Sequence, residues 1–169
     1  MKIDANLISE LCTCTTTGIY VLLLFVSEEI TLTIGKLGIN NFTRGYYSYT
    51  GSAFGNGATS LKNRIMRHLS KEKRKFWHID YLLADERVSV EAVIVAETDK
   101  KVECETNQYI KKTIGAKVPI MGFGSSDCRE NCVSHLLYFP KIQNRGCVVQ
   151  KIVKQLESVF GILSVYVFQ

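Results

Sequence analysis

The first half of the chain opens with a nearly unbroken apolar run. Residues 18–26, GIYVLLLFV, are rich in aliphatic and aromatic side chains, which is typical of a buried strand. Polar residues at 27–29 indicate a turn, and apolar and polar positions then alternate over 30–37. This pattern predicts a second strand, paired with the first in a hairpin. Residues 38–42 have a loop-like composition.

Residues 44–53, RGYYSYTGSA, predict a third strand in which successive side chains point to opposite faces. Tyr47 and Tyr49 then share one face, and Tyr46 and Ser48 share the other. Tyr20 of the first strand also lies beside a glycine. Either its hydroxyl and that of Tyr49 meet at one site, or the two rings are cross-strand packing partners.

A glycine-rich connection leads to an amphipathic helix, for which Thr59 or Ser60 is the candidate N-cap. Its apolar stripe repeats every four residues and consists of Leu61, Ile65 and Leu69. Arg64 and His68 have the same spacing and lie near the edge of that stripe. They can reach a cleft from there, or form an exposed helical pair.

The rest of the chain alternates between helical and extended patterns. The predicted elements are a short helix at 76–83, a strand at 89–98, a helix at 102–115, a strand at 134–139, a helix at 147–161 and a strand at 162–168. This order predicts an α+β fold with a mainly antiparallel central sheet flanked by helices. We expect a single domain over 1–169, with a core at about 15–115 and a strand–helix–strand extension at about 116–169.

Positive charge is concentrated in one segment, although the net charge of the 169 residues is only +5. Residues 61–75 contain seven Lys or Arg and the single acid Glu72. Such a run suits the surface of a polyanion, and it is equally typical of a solvated helix face followed by a charged loop. The candidate nucleic-acid-binding residues are Lys62, Arg67, Lys71, Lys73, Arg74 and Lys75.

The amino-terminal residues lack the continuous apolar core of a signal peptide, and the apolar run at 21–26 is too short to span a bilayer. We therefore expect a cytoplasmic protein without a membrane partner. In that compartment the six cysteines are expected to be free thiols, or part of a metal or redox site. Cys12 and Cys14 are equally compatible with small buried residues.

An ordered set of motifs resembles the GIY-YIG nucleases. It comprises GIY at 18–20, YTG at 49–51 and a following helix with Arg64 and His68. The chain is more closely similar to a mostly archaeal branch described as Domain of Unknown Function 123, which also occurs fused to endonuclease III-like enzymes. That likeness is carried by five segments: GYYSYTGSA, RIMRHL, FWHIDYLL, ECE and GFGSSDC…SHL.

The resemblance implies a catalytic set on a GIY-YIG-like fold. Tyr20 and Tyr49 match the two motif tyrosines, Arg64 and His68 match the helix arginine and the histidine after it, and His78 matches the later histidine. Tyr20 would act as base or proton relay, Arg64 and His68 would bind phosphate, and the others would position water or share proton transfer. The alternative for His78 is a hydrogen-bonded core histidine beside Trp77.

The resemblance also implies a metal-binding glutamate, which would be Glu105 or Glu103, with Glu105 favoured because Tyr109 follows one turn later. A single carboxylate completed by water and phosphate suits Mg²⁺ or Mn²⁺. Both glutamates are equally compatible with a solvated helix face.

Cys128, Cys132 and His135 form a second group of candidate ligands. With Cys104 or Cys147 as a fourth ligand they would suit Zn²⁺, although their spacing is wider than the usual CxxC pairs. Alternatively, Ser126, Asp127 and His135 line a cleft beside the sheet.

The resemblance, together with the residues that carry it, implies a divalent-metal-dependent DNA endonuclease that is structure- or damage-directed and acts in repair or recombination. The fusions in the similar branch imply a base-excision repair enzyme as partner. The alternative is a catalytically inactive module that binds nucleic acid or a repair partner through the same surface.

Overall fold

The computed structural model describes residues 17–126, 128, 130 and 132–168. The strands are β1 Gly18–Val26, β2 Ile30–Thr33, β3 Ile39–Phe42, β4 Gly45–Ala53, β5 Val88–Glu97, β6 Leu136–Tyr138 and β7 Ser164–Val167. The helices are α1 Leu61–Leu69, α2 His78–Leu83, α3 Glu103–Ile114 and α4 Arg145–Phe160. Short 3-10 turns occupy Gly35–Leu37 and Gly57–Thr59.

Five strands form the central sheet in the order β6-β4-β1-β5-β7, and all four neighbouring pairs are antiparallel. The predicted α+β class with an antiparallel sheet and flanking helices is therefore confirmed. The C-terminal strands β6 and β7 form the two edges of this same sheet. Among the described residues, none of the helices is both long and apolar enough to cross a bilayer.

The predicted hairpin between 18–26 and 30–37 is wrong. Strand β1 pairs with β4 on one side and with β5 on the other, so both of its edges are occupied. Strand β2 instead pairs with β3 in a separate two-stranded sheet, where Thr31 donates a 2.8 Å hydrogen bond to Asn41. The second strand of this pair was hidden in the sequence by its asparagines, which are uncommon in strands.

Two hydrophobic cores cover the two faces of the central sheet. Tyr20, Leu22 and Leu24 point into a core with α1 and α2, whereas Val21 and Leu23 point into a core with α3 and α4. Strand β1 is therefore buried on both faces, which explains its unbroken apolar sequence. Tyrosines of β4 divide in the predicted way, since Tyr47 and Tyr49 join the first core and Tyr46 the second.

Local signals in the sequence set the ends of two helices. The hydroxyl of Ser60 accepts a hydrogen bond from the backbone N–H of Asn63 and caps α1. Gly115 ends α3 in the left-handed conformation, with φ of +73°. The predicted stripe of α1 is buried throughout, which fixes the helix face on which Arg64 and His68 project.

Candidate active site and metal-binding cluster

Tyr20 and Tyr49 lie on the same face of neighbouring strands. In the antiparallel register Tyr20 is opposite Gly51, and Tyr49 is opposite Leu22. A Cβ atom at Gly51 would come within 2.5 Å of Cζ of Tyr20, so the tyrosine ring occupies space that only glycine leaves open. The glycine of the YTG motif therefore makes room for the tyrosine of the GIY motif.

Helix α1 brings His68 onto the hydroxyl of Tyr20. The Oη atom of Tyr20 is 2.7 Å from Nε2 of His68, and only 2% and 3% of the two residues are exposed. The ring of Tyr49 packs edge-on against that of His68, with 6.1 Å between centroids. The two motif tyrosines and the helix histidine thus form one compact cluster.

Asp80, which the sequence analysis missed, lies behind His68. Its Oδ1 is 4.0 Å from Nδ1 of His68, and neither atom has a hydrogen-bond partner within the described part of the chain. Its Oδ2 accepts hydrogen bonds from the Arg67 guanidinium at 2.6 Å and from the backbone N–H groups of Phe76 and Trp77 at 3.0 Å. Asp80 therefore ties α1 to the start of α2 while its second oxygen faces the imidazole. Its place in the first turn of a helix was the one available signal.

Burial sets the protonation of this row of side chains. It lowers the pKa of His68 to about 3, an effect that Lys73 reinforces and Asp80 opposes. Burial, together with Tyr49, raises the pKa of Tyr20 well above its usual value, while Arg64 lowers it. At neutral pH the imidazole is thus neutral and the phenol protonated. The tautomer with its proton on Nδ1, on the side of Asp80, lets Nε2 of His68 accept a hydrogen bond from the Tyr20 hydroxyl.

We expect acid to destabilise the protein through His68. The pKa of His68 in the folded protein is below that of a histidine in the unfolded chain. As the pH drops below about 6.5, the unfolded chain therefore binds a proton that the folded protein does not, and the free energy of unfolding falls. Between pH 7 and 5 the loss is about 2 kcal/mol of unfolding free energy. Urea denaturation of wild type and His68→Gln across this range measures it, and parallel pH dependences of the two proteins would contradict it.

Arg64 lies one turn before His68 on α1. Its Nη1 donates a 2.5 Å hydrogen bond to the carbonyl oxygen of Ser52, and its Cζ lies 4.9 Å from the Trp77 ring centroid. Arg67 contacts the same indole at 4.8 Å, so Trp77 is a platform for two guanidinium groups. The positive charge of Arg64 lowers the pKa of Tyr20 and so opposes the effect of burial.

His78 is connected to Tyr49 through Phe123. Its Nδ1 accepts a 3.1 Å hydrogen bond from the backbone N–H of Gly124, and its ring is 5.7 Å from that of Phe123. Phe123 in turn packs edge-on against Tyr49 at 6.3 Å. Because Nδ1 is the acceptor, a neutral His78 carries its proton on Nε2.

Much of the basic segment is engaged within the protein. Lys71 donates to the carbonyl oxygens of Leu83 and Val88, and Lys73 donates to those of Arg67 and His68. Burial lowers the pKa of Lys73 to about 8. Of the other candidate nucleic-acid-binding residues, Lys62 is half-buried, whereas Arg74 and Lys75 are exposed.

A second cluster joins three cysteines and a histidine. The potential ligand atoms of Cys104, Cys128, Cys132 and His135 all lie within 4.8 Å of one another, so the cluster could hold a metal ion. Sγ of Cys104 is 2.9 Å from Sγ of Cys128 and 3.3 Å from Nε2 of His135, and it is in direct contact with Sγ of Cys132, as in a disulfide.

Not every predicted ligand lies in this cluster. Of the two alternatives for a fourth ligand, the structure selects Cys104, and Cys147 has a free thiol at the start of α4. The candidates Cys12, Cys14 and Asp127 lie outside the described residues.

The two candidate metal-binding glutamates both lie in the first turn of α3. Glu105 is exposed and lines a surface pocket with Tyr109 between α3 and α4, and Glu103 is half-buried at the start of α3. Within the described ranges, the Cys/His cluster is the single group of three or more candidate metal ligands. Thiolate and imidazole ligands do not suit Mg²⁺ or Mn²⁺, so the structure does not support either ion.

Comparison with known families assigns the chain. The model of the family described as Domain of unknown function DUF123 matches residues 19–158, and the chain belongs to this family. The matched range includes the tyrosine–histidine site and the whole Cys/His cluster. No curated protein and no solved structure matches the chain significantly.

Proposed function

We propose that this protein hydrolyses phosphodiester bonds in nucleic acid, as a structure- or damage-directed DNA endonuclease of repair or recombination. The observation that carries the proposal is the row Tyr20, His68 and Asp80, with a 2.7 Å contact between the phenol and a neutral imidazole. The likeness of these motifs to those of GIY-YIG nucleases supports the same chemistry.

Tyr20 acts as a proton relay in this proposal. As water attacks phosphorus, one water proton passes to Oη of Tyr20 and the phenol proton passes to Nε2 of His68. The transfers are concerted, so no free tyrosinate forms, which agrees with the raised pKa of Tyr20. The imidazolium is stabilised by Asp80 on its other side and later returns its proton to solvent.

Arg64 holds the phosphate. Its guanidinium has five N–H donors, of which Nη1 is used on Ser52, and its planar fork matches two phosphate oxygens. Its charge also opposes the negative charge that builds up in the transition state. Tyr49 and His78 position the water or supply the proton that the leaving oxygen takes. No step is assigned to Mg²⁺ or Mn²⁺.

The remaining basic side chains suggest recognition of shape. Arg74 and Lys75 are exposed close to Arg64 in the chain, and contacts of this kind go to phosphates, which position a nucleic acid without reading its sequence. Branched, nicked or damaged DNA is therefore the proposed substrate. A base-excision repair enzyme is the proposed partner, because the resemblance implies a branch that also occurs fused to endonuclease III-like enzymes.

A second candidate function is a binding module that keeps the fold without catalysis. The observation that favours it is the burial of Tyr20 and His68, which are only 2% and 3% exposed to solvent. Substrate would have to open this cluster before water could reach Oη of Tyr20. In this function the surface around Arg64 holds nucleic acid or the repair partner.

Binding and cleavage assays on one set of nucleic acids distinguish the two functions. Labelled duplex, nicked, flap, branched and abasic DNAs, with matching RNAs, are incubated with protein and either Mg²⁺, Mn²⁺ or chelator. We expect preferential binding and cleavage of one or more of the non-duplex DNAs. Binding without cleavage under every condition would support the module, and neither binding nor cleavage would contradict both functions.

A further inference from the structure

We propose that Cys104, Cys128, Cys132 and His135 bind a structural Zn²⁺ that fixes one wall of the tyrosine–histidine site. The three thiolates and one imidazole match a common tetrahedral zinc shell. All four positions are taken by protein atoms, which is typical of a structural rather than a catalytic zinc.

A metal accounts for more of the cluster than a disulfide does. A Cys104–Cys132 bridge would use two sulfurs, whereas the Cys128 thiol lies 2.9 Å and Nε2 of His135 lies 3.3 Å from Sγ of Cys104. One ion uses all four groups. The N–H of Glu130 also points at Sγ of Cys128, at 3.4 Å, as expected for an outer hydrogen bond to a thiolate ligand.

The ligands come from three separate parts of the chain. Cys104 lies in the first turn of α3, Cys128 and Cys132 lie in the following loop, and His135 directly precedes β6. Cys104 and His135 are each only 6% exposed. The cluster therefore closes the loop onto the body of the protein.

Backbone hydrogen bonds fix His135 on both sides. Its N–H donates to the carbonyl oxygen of Phe123 at 2.8 Å, and its own carbonyl oxygen accepts from the N–H of Thr50 at 3.1 Å. Nδ2 of Asn107 donates to the same carbonyl oxygen at 3.0 Å. The histidine ligand is thus preorganised by the strand that carries Tyr49 and by the helix that carries Cys104.

The same loop carries Gly124 into the active site. Gly124 has φ of +73° and donates to His78, and a Cβ atom there would lie 2.8 Å from Cε2 of Tyr49 and 3.2 Å from Cβ of His135. This glycine therefore lies between the zinc ligand and the two candidate catalytic side chains. Binding of zinc would hold the loop at the spacing that Tyr49 and His78 require.

The first test is the zinc content of protein purified under reducing conditions and dialysed without chelator. We expect equimolar zinc in wild type and in the control Cys147→Ser, whose thiol is outside the cluster. In Cys128→Ser the zinc affinity should fall about 100-fold or more, since loss of an outer hydrogen bond to a ligand already costs roughly 10–100-fold. Equal zinc affinities of the two serine variants, measured by competition with a chelator, would overturn the proposal.

The second test needs no variant. Apo protein titrated with Co²⁺ is expected to show the visible d–d bands of a tetrahedral ion, with thiolate-to-cobalt charge transfer, and added Zn²⁺ should abolish both. A zinc-free wild type that gives no such spectrum under reducing conditions would overturn the proposal. A Cys104–Cys132 disulfide that persists in a buffer containing a reducing agent would also overturn the proposal. These results do not depend on cleavage, so the zinc site and the nuclease proposal can fail separately.

Discussion

Tyr20→Phe is expected to lower the rate of phosphodiester cleavage about 10²–10⁴-fold, the usual contribution of a positioned proton-transfer group. The change removes one oxygen atom and keeps the ring that fills the space above Gly51. It breaks the proposed route of the proton from water to the neutral imidazole, which runs through the 2.7 Å contact between Oη and Nε2 of His68. The measurement is single-turnover cleavage of the best substrate, with DNA binding determined in parallel and expected to be unchanged.

Tyr47→Phe is the matched control for this variant. Tyr47 is on the same face of the sheet and 1% exposed, but its hydroxyl donates to the carbonyl oxygen of Thr43 at 2.8 Å, away from His68. Each variant thus loses one buried phenol hydroxyl, at a cost of about 1 kcal/mol in unfolding free energy. Equal cleavage rates in the two variants would show that Tyr20 has no special role in proton transfer.

Asp80→Ala is expected to lower the free energy of unfolding by about 3–5 kcal/mol, the range found when one partner of a buried ion pair is removed. Asp80 is fully buried, and its Oδ2 accepts from Arg67 and from two backbone N–H groups that begin α2. Alanine leaves these donors without an acceptor. Urea or guanidinium denaturation measures the change, and circular dichroism establishes whether the variant is folded at the start.

Asp85→Ala provides the comparison. The Asp85 side chain is 13% exposed and pairs at 2.8 Å with Arg87, whose side chain is 44% exposed. Because the Arg87 side chain is accessible to solvent, we expect this pair to contribute about 0–1 kcal/mol, as surface ion pairs do. If both alanine variants lost the same stability, Asp80 would not be the residue that joins α1 to α2.

The sequence carried strong signals for the elements that build the tyrosine site. The apolar run of β1, the alternation of β4 and the four-residue stripe of α1 each follow from burial, and burial is what hydropathy reports. Their register then places Tyr20 and Tyr49 on one face. Arg64 and His68 follow from the helical spacing, because one turn separates them.

Other parts of the site depend on contacts between distant segments, which hydropathy does not report. Asp80 resembles any acidic residue at a helix start until the fold brings it behind His68. Cys104 is 24 residues from Cys128, and only the packing of α3 against the loop selects it over Cys147 as the fourth ligand. The pairing of β2 with β3 also depends on distant segments, because β4 and β5 occupy the two edges of β1.

The tyrosine–histidine site and the Cys/His cluster meet at Gly124, which contacts His78 and leaves room for Tyr49. The loop that contains Gly124 therefore contributes to the tyrosine–histidine site as well as to the Cys/His cluster. The same contact explains why position 124 is a glycine. A side chain at this positive φ would be strained and would collide with the Tyr49 ring. Stability of the loop and geometry of the site are therefore coupled.

Cleavage in ¹⁸O-labelled water is the measurement that addresses hydrolysis most directly. Wild-type protein is incubated with the DNA that it binds best, and the products are examined by mass spectrometry. Hydrolysis through a water activated by Tyr20 predicts cut strands whose new terminal phosphate carries ¹⁸O from solvent. Intact DNA, or cut DNA whose phosphate is free of the label or attached to tyrosine, would contradict the proposed reaction.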